Sequence, residues 1–213
     1  MKSRNIDNST IEAVEASLKP LYCAVFRLMI GTGLRVGDAV ACRYSDIDTN
    51  GYLHYTAEKT GKKARVRVPD DILKYIGWTE KRSKSKTFIF PSPKNKGNHI
   101  SRQAVWKNIK KACIRAGVSP NGISPHTCRK HYAVELFRRE GLGTTMNALQ
   151  HSSPSTTFLY VYGDDPISVF ENRITKLERL IEKLTRAVDM CLDALIGDTT
   201  VNLTDEYLNS LQK

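Results

Sequence analysis

The segment from Gly51 to Val68 limits the folds open to this chain of 213 residues more than any other part of it. Two runs of alternating apolar and polar residues, YLHYT and RVRV, flank the turn residues KTGKK. Alternation around a glycine-containing turn is typical of a β-hairpin, and here the tip of the hairpin is strongly basic. Because apolar residues recur at helical spacing before and after this segment, the sequence predicts an α+β fold that is mainly α, with a small antiparallel β-sheet.

Helix boundaries follow from capping residues, glycines and prolines. Pro20 separates two helices within residues 9–30, Ser101 is a suitable N-cap, and Gly117 and Gly141 are suitable stops. The predicted helices are, in chain order, the two within 9–30, then 36–42, 70–77, 101–117, one from Pro125 to Gly141, and a short one that begins at Pro154. A short extended piece, FIFP, lies between the helices at 70–77 and 101–117.

The character of the chain changes beyond Pro166, where apolar residues recur in alternating steps of four and three. They are Phe170, Ile174, Leu177, Ile181, Leu184, Val188, Cys191 and Leu195. This heptad pattern predicts a long C-terminal helix, which either packs on its own domain or joins subunits as a coiled coil. Leu180 and Leu192 widen the apolar stripe beyond a narrow seam. We expect one domain over 1–165 and a helical extension over 166–213 that is a candidate oligomerisation element.

The net charge points to a polyanionic partner. Lys and Arg number 33 against 22 for Asp and Glu, which gives a formal charge of +11. Three basic runs, at 60–67, 80–86 and 107–115, carry much of this excess. Nucleic acid is the favoured partner, and an anionic membrane surface is a poor second.

Other features exclude several classes of protein. No apolar run approaches the roughly 20 residues of a membrane span, and the N-terminus lacks the apolar core of a signal peptide. The five cysteines are scattered and never form a CxxC pair, so neither a disulfide framework nor a zinc site is predicted. We therefore expect a cytoplasmic protein with no membrane partner.

If the partner is DNA and the chemistry occurs at phosphorus, the site needs fixed cations. The transition state gathers charge on the non-bridging oxygens, and the planar fork of arginine can grip two oxygens at once. Arg35 interrupts an apolar stretch at a corner between two predicted helices. Arg129 lies three residues after His126 on a predicted helix, so these two side chains share a face.

The nucleophile is harder to assign from residue types alone. The segments around these residues lack a carboxylate cluster suited to magnesium, and His126 and His131 are five apart rather than the four that would align two zinc ligands. A mechanism without metal or cofactor is the simpler hypothesis, and it needs an activated water or a protein nucleophile such as Tyr160 or Tyr162. Considered singly, each of these residues is more often a packing residue.

Four segments favour the functional interpretation through their order and spacing. They are TGLRVGDAVACRYSDID (32–48), EKTGKKARVRVP (58–69), SPHTCRKHYAVELFRREG (124–141) and LQHSSPSTTFLYV (149–161). In that order they resemble the motifs of the tyrosine recombinase, or phage integrase, catalytic domain, over about residues 9–163. The resemblance implies the DNA breaking-rejoining fold and site-specific cleavage and rejoining of DNA strands without metal or ATP.

The resemblance also implies roles for individual cations. Arg35 and Arg129 are expected to clamp the scissile phosphate, with Asp38 as a buttress. Lys59 is expected to protonate the leaving 5′ oxygen, and Lys62 and Lys63 are its nearest rivals. Six basic residues are expected to contact DNA more generally: Lys62, Lys63, Arg65, Arg102, Lys107 and Lys130.

The remaining implied roles fall on histidines and a tyrosine. His126 and His151 are expected to hydrogen-bond the phosphate and to assist proton transfer. Tyr160, nine residues after His151, is expected to attack the phosphate and form a 3′-phosphotyrosyl link, which leaves Tyr162 to packing. The expected partners are double-stranded DNA and further copies of the chain, as a dimer or tetramer on DNA.

Two of the departures from the family pattern bear most directly on function. The usual Leu-Gly-His reads Leu149-Gln150-His151, so a glycine that allows tight backbone approach is replaced. The N-terminal helical domain that usually closes the clamp around DNA is expected to be missing. Two alternatives therefore stay open: a DNA relaxation enzyme similar to type IB topoisomerases, or a DNA-binding accessory protein with a weak or inactive site.

Overall fold

The computed structural model describes residues 5–82, 87–95, 97–163, 174–175 and 177–193. The chain divides into two compact units, Met1–Asp164 and Asp165–Lys213. The first unit contains the following elements: α1 (Asn8–Ala16), α2 (Pro20–Thr32), α3 (Val36–Ala41), β1 (Tyr52–Thr56), β2 (Lys63–Arg67), α4 (Asp70–Arg82), α5 (Arg102–Arg115), α6 (Pro125–Leu149) and α7 (Pro154–Tyr162). The predicted mainly helical fold with a small antiparallel sheet is therefore confirmed.

The sheet is the predicted hairpin. Strands β1 and β2 pair antiparallel, with Tyr52 opposite Arg67 and Thr56 opposite Lys63. The ladder continues into the turn, where the Ala57 amide donates to the Lys62 carbonyl at 3.0 Å. Gly61 closes the turn with φ 65°, a left-handed conformation that glycine adopts without steric penalty. Lys59 thus lies at the tip of a tight turn.

The core forms where α2 packs against α6 and α5. Val25, Phe26, Met29, Ile109 and Cys128 each expose 0% of their surface. Burial of an aliphatic or aromatic side chain of this size contributes roughly 1.5–3 kcal/mol to folding. Helices α2 and α6 also position two predicted site residues, Arg35 shortly after α2 and Arg129 on α6.

Several helix ends agree with the capping residues in the sequence. The Ser101 hydroxyl accepts from the Ala104 amide at the start of α5, and Pro20 and Pro125 occupy the first turns of α2 and α6. The α4 helix is longer than predicted, because it continues to Arg82. The predicted extended piece at 88–91 forms isolated bridges, Arg43 to Phe88 and Pro91 to His99, rather than a strand.

Helix α6 breaks at Gly141, where the sequence predicts its end. Gly141 has φ 83° and ψ −172°, a conformation essentially restricted to glycine. The Thr145 hydroxyl then donates to the Gly141 carbonyl at 2.7 Å, and the chain resumes a helical path to Leu149. The break was predicted correctly, but the helical turns beyond it were not.

The second unit is described over 174–175 and 177–193, and these residues are helical and exposed. The exposed apolar side chains on it are Ile174, Leu177, Leu180, Ile181, Leu184, Val188, Met190 and Leu192. Two members of the predicted heptad pattern, Phe170 and Leu195, lie outside the described residues.

Candidate active site

Arg129 is the buried centre of the site. Its side chain on α6 is only 4% exposed, and it donates from Nη1 to the Gly33 carbonyl at 2.7 Å and from Nη2 to the Leu149 carbonyl at 2.6 Å. Both carbonyls lie at the C-terminal ends of helices, where the helix dipole favours a cation. Burial, and then the charge of Arg35, lower the pKa of Arg129. A guanidinium has five N–H donors, so these two bonds do not exhaust it.

The turn that carries Arg35 depends on Gly33. Gly33 has φ 67° and caps α2, and its amide donates to the Met29 carbonyl at 2.9 Å. A Cβ atom at this position would lie 2.3 Å from Cδ1 of the Tyr132 ring. Because glycine has no Cβ, the backbone at Gly33 can turn next to the Tyr132 ring. This turn places Arg35 immediately before α3.

A cavity of about 370 Å³ brings together residues from four parts of the sequence. Its lining includes four cationic side chains and two carboxylates, together with one histidine: Arg35, Lys59, Arg102, Arg129, Asp38, Glu58 and His126. An excess of fixed cations around a cavity of this size suits an anionic group. Four of the six residues predicted to be catalytic therefore share one cavity.

Asp38 connects α3 to the hairpin tip. The Asp38 carboxylate is 8% exposed, and its Oδ1 accepts from the Glu58 amide at 2.9 Å. Glu58 directly precedes Lys59, and its own carboxylate receives Arg102 Nη1 at 3.4 Å. Asp38 thus binds the backbone next to Lys59 and adds a negative charge among the cations that line the cavity, as expected for a buttress.

The two histidines differ in their surroundings. His126 is exposed in the first turn of α6, and His151 follows the end of α6. Partial removal from water, followed by the charges of Arg129, Arg35 and Lys59, lowers the pKa of both imidazoles, that of His151 to about 4. With that pKa the His151 ring is neutral at pH 7. Its Nδ1 lies 2.9 Å from the hydroxyl oxygen of the buried Thr157 and is hydrogen-bonded to it.

Tyr160 lies beside His151. The two ring centroids are 5.3 Å apart, and Tyr160 is partly buried on α7. Tyr160 also interacts electrostatically with Arg129, whose pKa it raises in opposition to burial and Arg35. Tyr162 has a different environment: it is 4% exposed, meets Phe137 edge to face at 5.4 Å, and stacks on Phe158 at 5.6 Å. Tyr162 thus packs against two phenylalanine rings, whereas Tyr160 lies beside His151 and interacts with Arg129.

Sequence reasoning missed Tyr55, which borders the site from β1. Burial and Asp38 raise the pKa of its phenol, while Arg129 and Arg35 oppose that shift. Its hydroxyl receives Gln150 Nε2 at 3.5 Å. The alternation of YLHYT places Tyr55 on the same face as the buried Leu53, but that pattern alone does not distinguish a core residue from one next to a site.

The residues predicted to contact DNA are not all exposed. Lys63, Arg65 and Arg102 line a second cavity of about 790 Å³ that shares Asp38 and Glu58 with the first. Lys62 is exposed at the hairpin turn, and Lys107 is exposed on α5. Lys130 is only 4% exposed, because α6 is enclosed by its neighbours throughout residues 127–131. The structure therefore does not support a DNA contact by Lys130.

No group of three or more His, Cys, Asp or Glu side chains in the described part of the chain is arranged to hold a metal ion. Within the same residues, no helix is both long and apolar enough to cross a membrane.

Comparison with known proteins places this geometry in context. The sequence model of the phage integrase family matches residues 6–165. The chain belongs to the phage integrase family. Tyrosine recombinase XerD of Lacticaseibacillus casei is 28% identical over 145 residues, which are 65% of this chain and 49% of XerD. A probable integrase/recombinase of Bacillus subtilis, YoeC, is 26% identical over 142 residues, 66% of this chain and 77% of YoeC. This phage integrase chain thus spans about half the length of the XerD relative.

Solved structures share the fold. The XerA recombinase superimposes with a TM-score of 0.69 at 19% identity, over 82% of this phage integrase chain and 64% of XerA. The catalytic domain of bacteriophage HP1 integrase gives a TM-score of 0.58 at 18% identity, over 76% of this chain and 88% of that domain. A lambda integrase dimer bound to a COC′ core site gives 0.63 at 19% identity, over 76% and 48%. The predicted family and its catalytic-domain fold are confirmed.

Proposed function

We propose that this chain carries out site-specific recombination of double-stranded DNA, with Tyr160 as the nucleophile. One observation carries the proposal: Arg35, Lys59 and Arg129 line one cavity, and Tyr160, whose ring lies 5.3 Å from that of His151, interacts electrostatically with Arg129 of that cavity. Membership of the phage integrase family supports the same chemistry.

The cleavage step follows from these positions. The Tyr160 oxygen attacks phosphorus while the bond from phosphorus to the 5′ oxygen breaks. The strand is left with a 3′-phosphotyrosyl link at one end and a 5′ hydroxyl at the other. Arg35 and Arg129 bind the non-bridging oxygens, where negative charge develops. Lys59 donates a proton to the leaving 5′ oxygen. Rejoining reverses these steps with a second 5′ hydroxyl, so the energy of the phosphodiester bond is kept and neither ATP nor a metal ion is needed.

The histidines assist proton transfer. His151 is neutral because burial and nearby cations lower its pKa to about 4, so its ring can accept a proton near the phenol. Because Nδ1 is held by Thr157, Nε2 is the nitrogen that serves this role. A bound phosphodiester offsets the charges of Arg129 and Arg35, which strengthens His151 as a base when substrate is present. His126 hydrogen-bonds the phosphate from the first turn of α6.

DNA binding outside the reacting phosphate falls to the exposed cations around the second cavity and on α5. Lys62, Lys63, Arg65, Arg102 and Lys107 contact backbone phosphates, and affinity should therefore fall steeply as salt rises. The lambda integrase dimer on its core site supports an assembly of several subunits on DNA. We include in the proposal that the apolar face of residues 177–193 binds a second copy of the chain.

A nicked suicide substrate tests the function. After cleavage the short fragment that carries the new 5′ hydroxyl diffuses away and cannot rejoin, so the covalent protein–DNA complex persists on a denaturing gel. Wild-type protein should form this complex, and Tyr160→Phe should not, although it should bind the DNA nearly as well. Absence of any covalent complex would indicate an accessory DNA-binding protein, and relaxation of plasmid DNA without pairing of two sites would indicate a topoisomerase.

A further inference from the structure

The residue before His151 has an unusual backbone conformation. Gln150 ends α6 with φ 54° and ψ 38°, and it is the one non-glycine residue with positive φ among those the structure describes. Side chains other than glycine are disfavoured in this left-handed region. Glycine would adopt this conformation at lower cost. The contacts of the glutamine side chain offset that cost.

Both polar atoms of the Gln150 amide bind the β-hairpin. Oε1 accepts from the Thr60 hydroxyl at 3.1 Å, and Nε2 donates to the Tyr55 hydroxyl at 3.5 Å. Thr60 lies 90 residues earlier in the chain, at the hairpin turn, and Tyr55 lies on β1. The side chain therefore connects the end of α6, next to His151, to the strand and the turn of the hairpin.

Lys59 lies between two such connections. On one side, Glu58 is held through its amide by Asp38 of α3. On the other side, Thr60 is held through its hydroxyl by Gln150. Lys59 itself is exposed, so neighbouring contacts rather than packing restrain its backbone. We infer that Gln150 is a positioning residue for Lys59. Its side chain links the hairpin tip to the C-terminal end of α6, directly before His151.

This inference rests on the proposed function, in which Lys59 protonates the leaving 5′ oxygen. A proton donor must come within hydrogen-bonding reach of its target, and small misplacements of a catalytic group slow a reaction by large factors. Removal of the Gln150 side chain removes the link from Thr60 to the end of α6, while Asp38 still holds Glu58 and the backbone bonds of the turn remain. The variant Gln150→Gly also loses the left-handed backbone penalty, which offsets the loss of its two side-chain hydrogen bonds, so activity should fall while stability changes little.

The test uses two suicide substrates that differ only in the leaving atom at the scissile phosphate, either the ordinary 5′ oxygen or a bridging 5′ sulfur. A thiol has a pKa of roughly 8.5, so sulfur departs without a proton, whereas the oxygen needs one. Gln150→Gly should cleave the oxygen substrate roughly tenfold to a hundredfold more slowly and the sulfur substrate at the wild-type rate. Thr60→Val should resemble it, and the double variant should be no slower than Gln150→Gly alone. Thermal unfolding of Gln150→Gly should occur near the wild-type temperature, because the backbone gain and the lost hydrogen bonds are of similar size.

Lys59→Ala is the reference for the interpretation. If sulfur restores Lys59→Ala but Gln150→Gly is slow on both substrates, or is not slowed on either, the positioning role is refuted while the proposed function stands. If sulfur does not restore Lys59→Ala, Lys59 is not the proton donor and the inference fails with that assignment. If the wild type cleaves neither substrate, the proposed function itself fails.

Discussion

Replacement of Arg129 by lysine should damage both the fold and the chemistry. The guanidinium spans two carbonyls, those of Gly33 at 2.7 Å and Leu149 at 2.6 Å, from a side chain that is 4% exposed. Lysine ends in a single nitrogen and cannot reproduce two donors on separate nitrogens. Loss of one charged hydrogen bond in a buried place costs about 1.5–3 kcal/mol. For a chain of this size that corresponds to a fall in melting temperature of about 3–12 °C.

A matched control is available on the same helix. Arg138 is exposed and pairs with Glu135 at 2.7 Å, and a surface pair of this kind contributes about 0–1 kcal/mol. Arg138→Lys keeps the charge that pairs with Glu135, so it should melt within at most about 4 °C of the wild type. Arg129→Lys should also lose about 10²–10³ in cleavage rate, as expected for a lost oxyanion donor. Unfolding can be followed by circular dichroism, and cleavage by covalent trapping. Equal melting temperatures and equal cleavage rates for the two variants would refute the clamp described for Arg129.

Three further predictions concern the framework around the site. Gly33→Ala should lower the melting temperature by several degrees, because its Cβ would overlap the Tyr132 ring at a residue with φ 67°; an unchanged calorimetric scan would contradict this. Between pH 7 and 5 the free energy of unfolding should fall further for the wild type than for His151→Gln, by at most about 2 kcal/mol. In the unfolded chain His151 has a pKa near 6.5 and takes up a proton over this range, whereas in the folded site its pKa of about 4 keeps it neutral. Urea titrations at both pH values measure the difference, and identical losses would show that His151 is not protected from protonation. Finally, Ile181→Asp in the full chain should reduce the mass seen by light scattering, whereas a mass equal to that of the wild type would argue against an interface at residues 177–193.

Local signals in the sequence were sufficient for much of the fold. The hairpin followed from alternation around KTGKK, and the starts of α5 and α6 followed from Ser101 and Pro125, because capping and proline geometry depend on a few neighbouring residues. The break at Gly141 was also local. The helical turns after Gly141 and the extension of α4 to Arg82 were not predicted, since no strong local marker separates them from loop.

The candidate site was less accessible to sequence reasoning. The family resemblance supplied the residues, and the structure shows which of them lie together, but their roles stay predictions until they are tested. Contacts between distant parts of the chain left no local trace: Gln150 with Thr60, and Arg129 with Gly33. The burial of Lys130 could not be predicted either, because a basic residue is expected to be exposed unless the packing around α6 is known.

Mass spectrometry of the DNA-linked peptide tests the central claim most directly. Covalent complexes trapped on a suicide substrate are digested with protease and nuclease, and the peptide that retains a nucleotide is sequenced. If Tyr160 is the nucleophile, the peptide should carry a nucleotide 3′-phosphate on Tyr160. Attachment to Tyr162, or to any residue outside α7, would contradict the account.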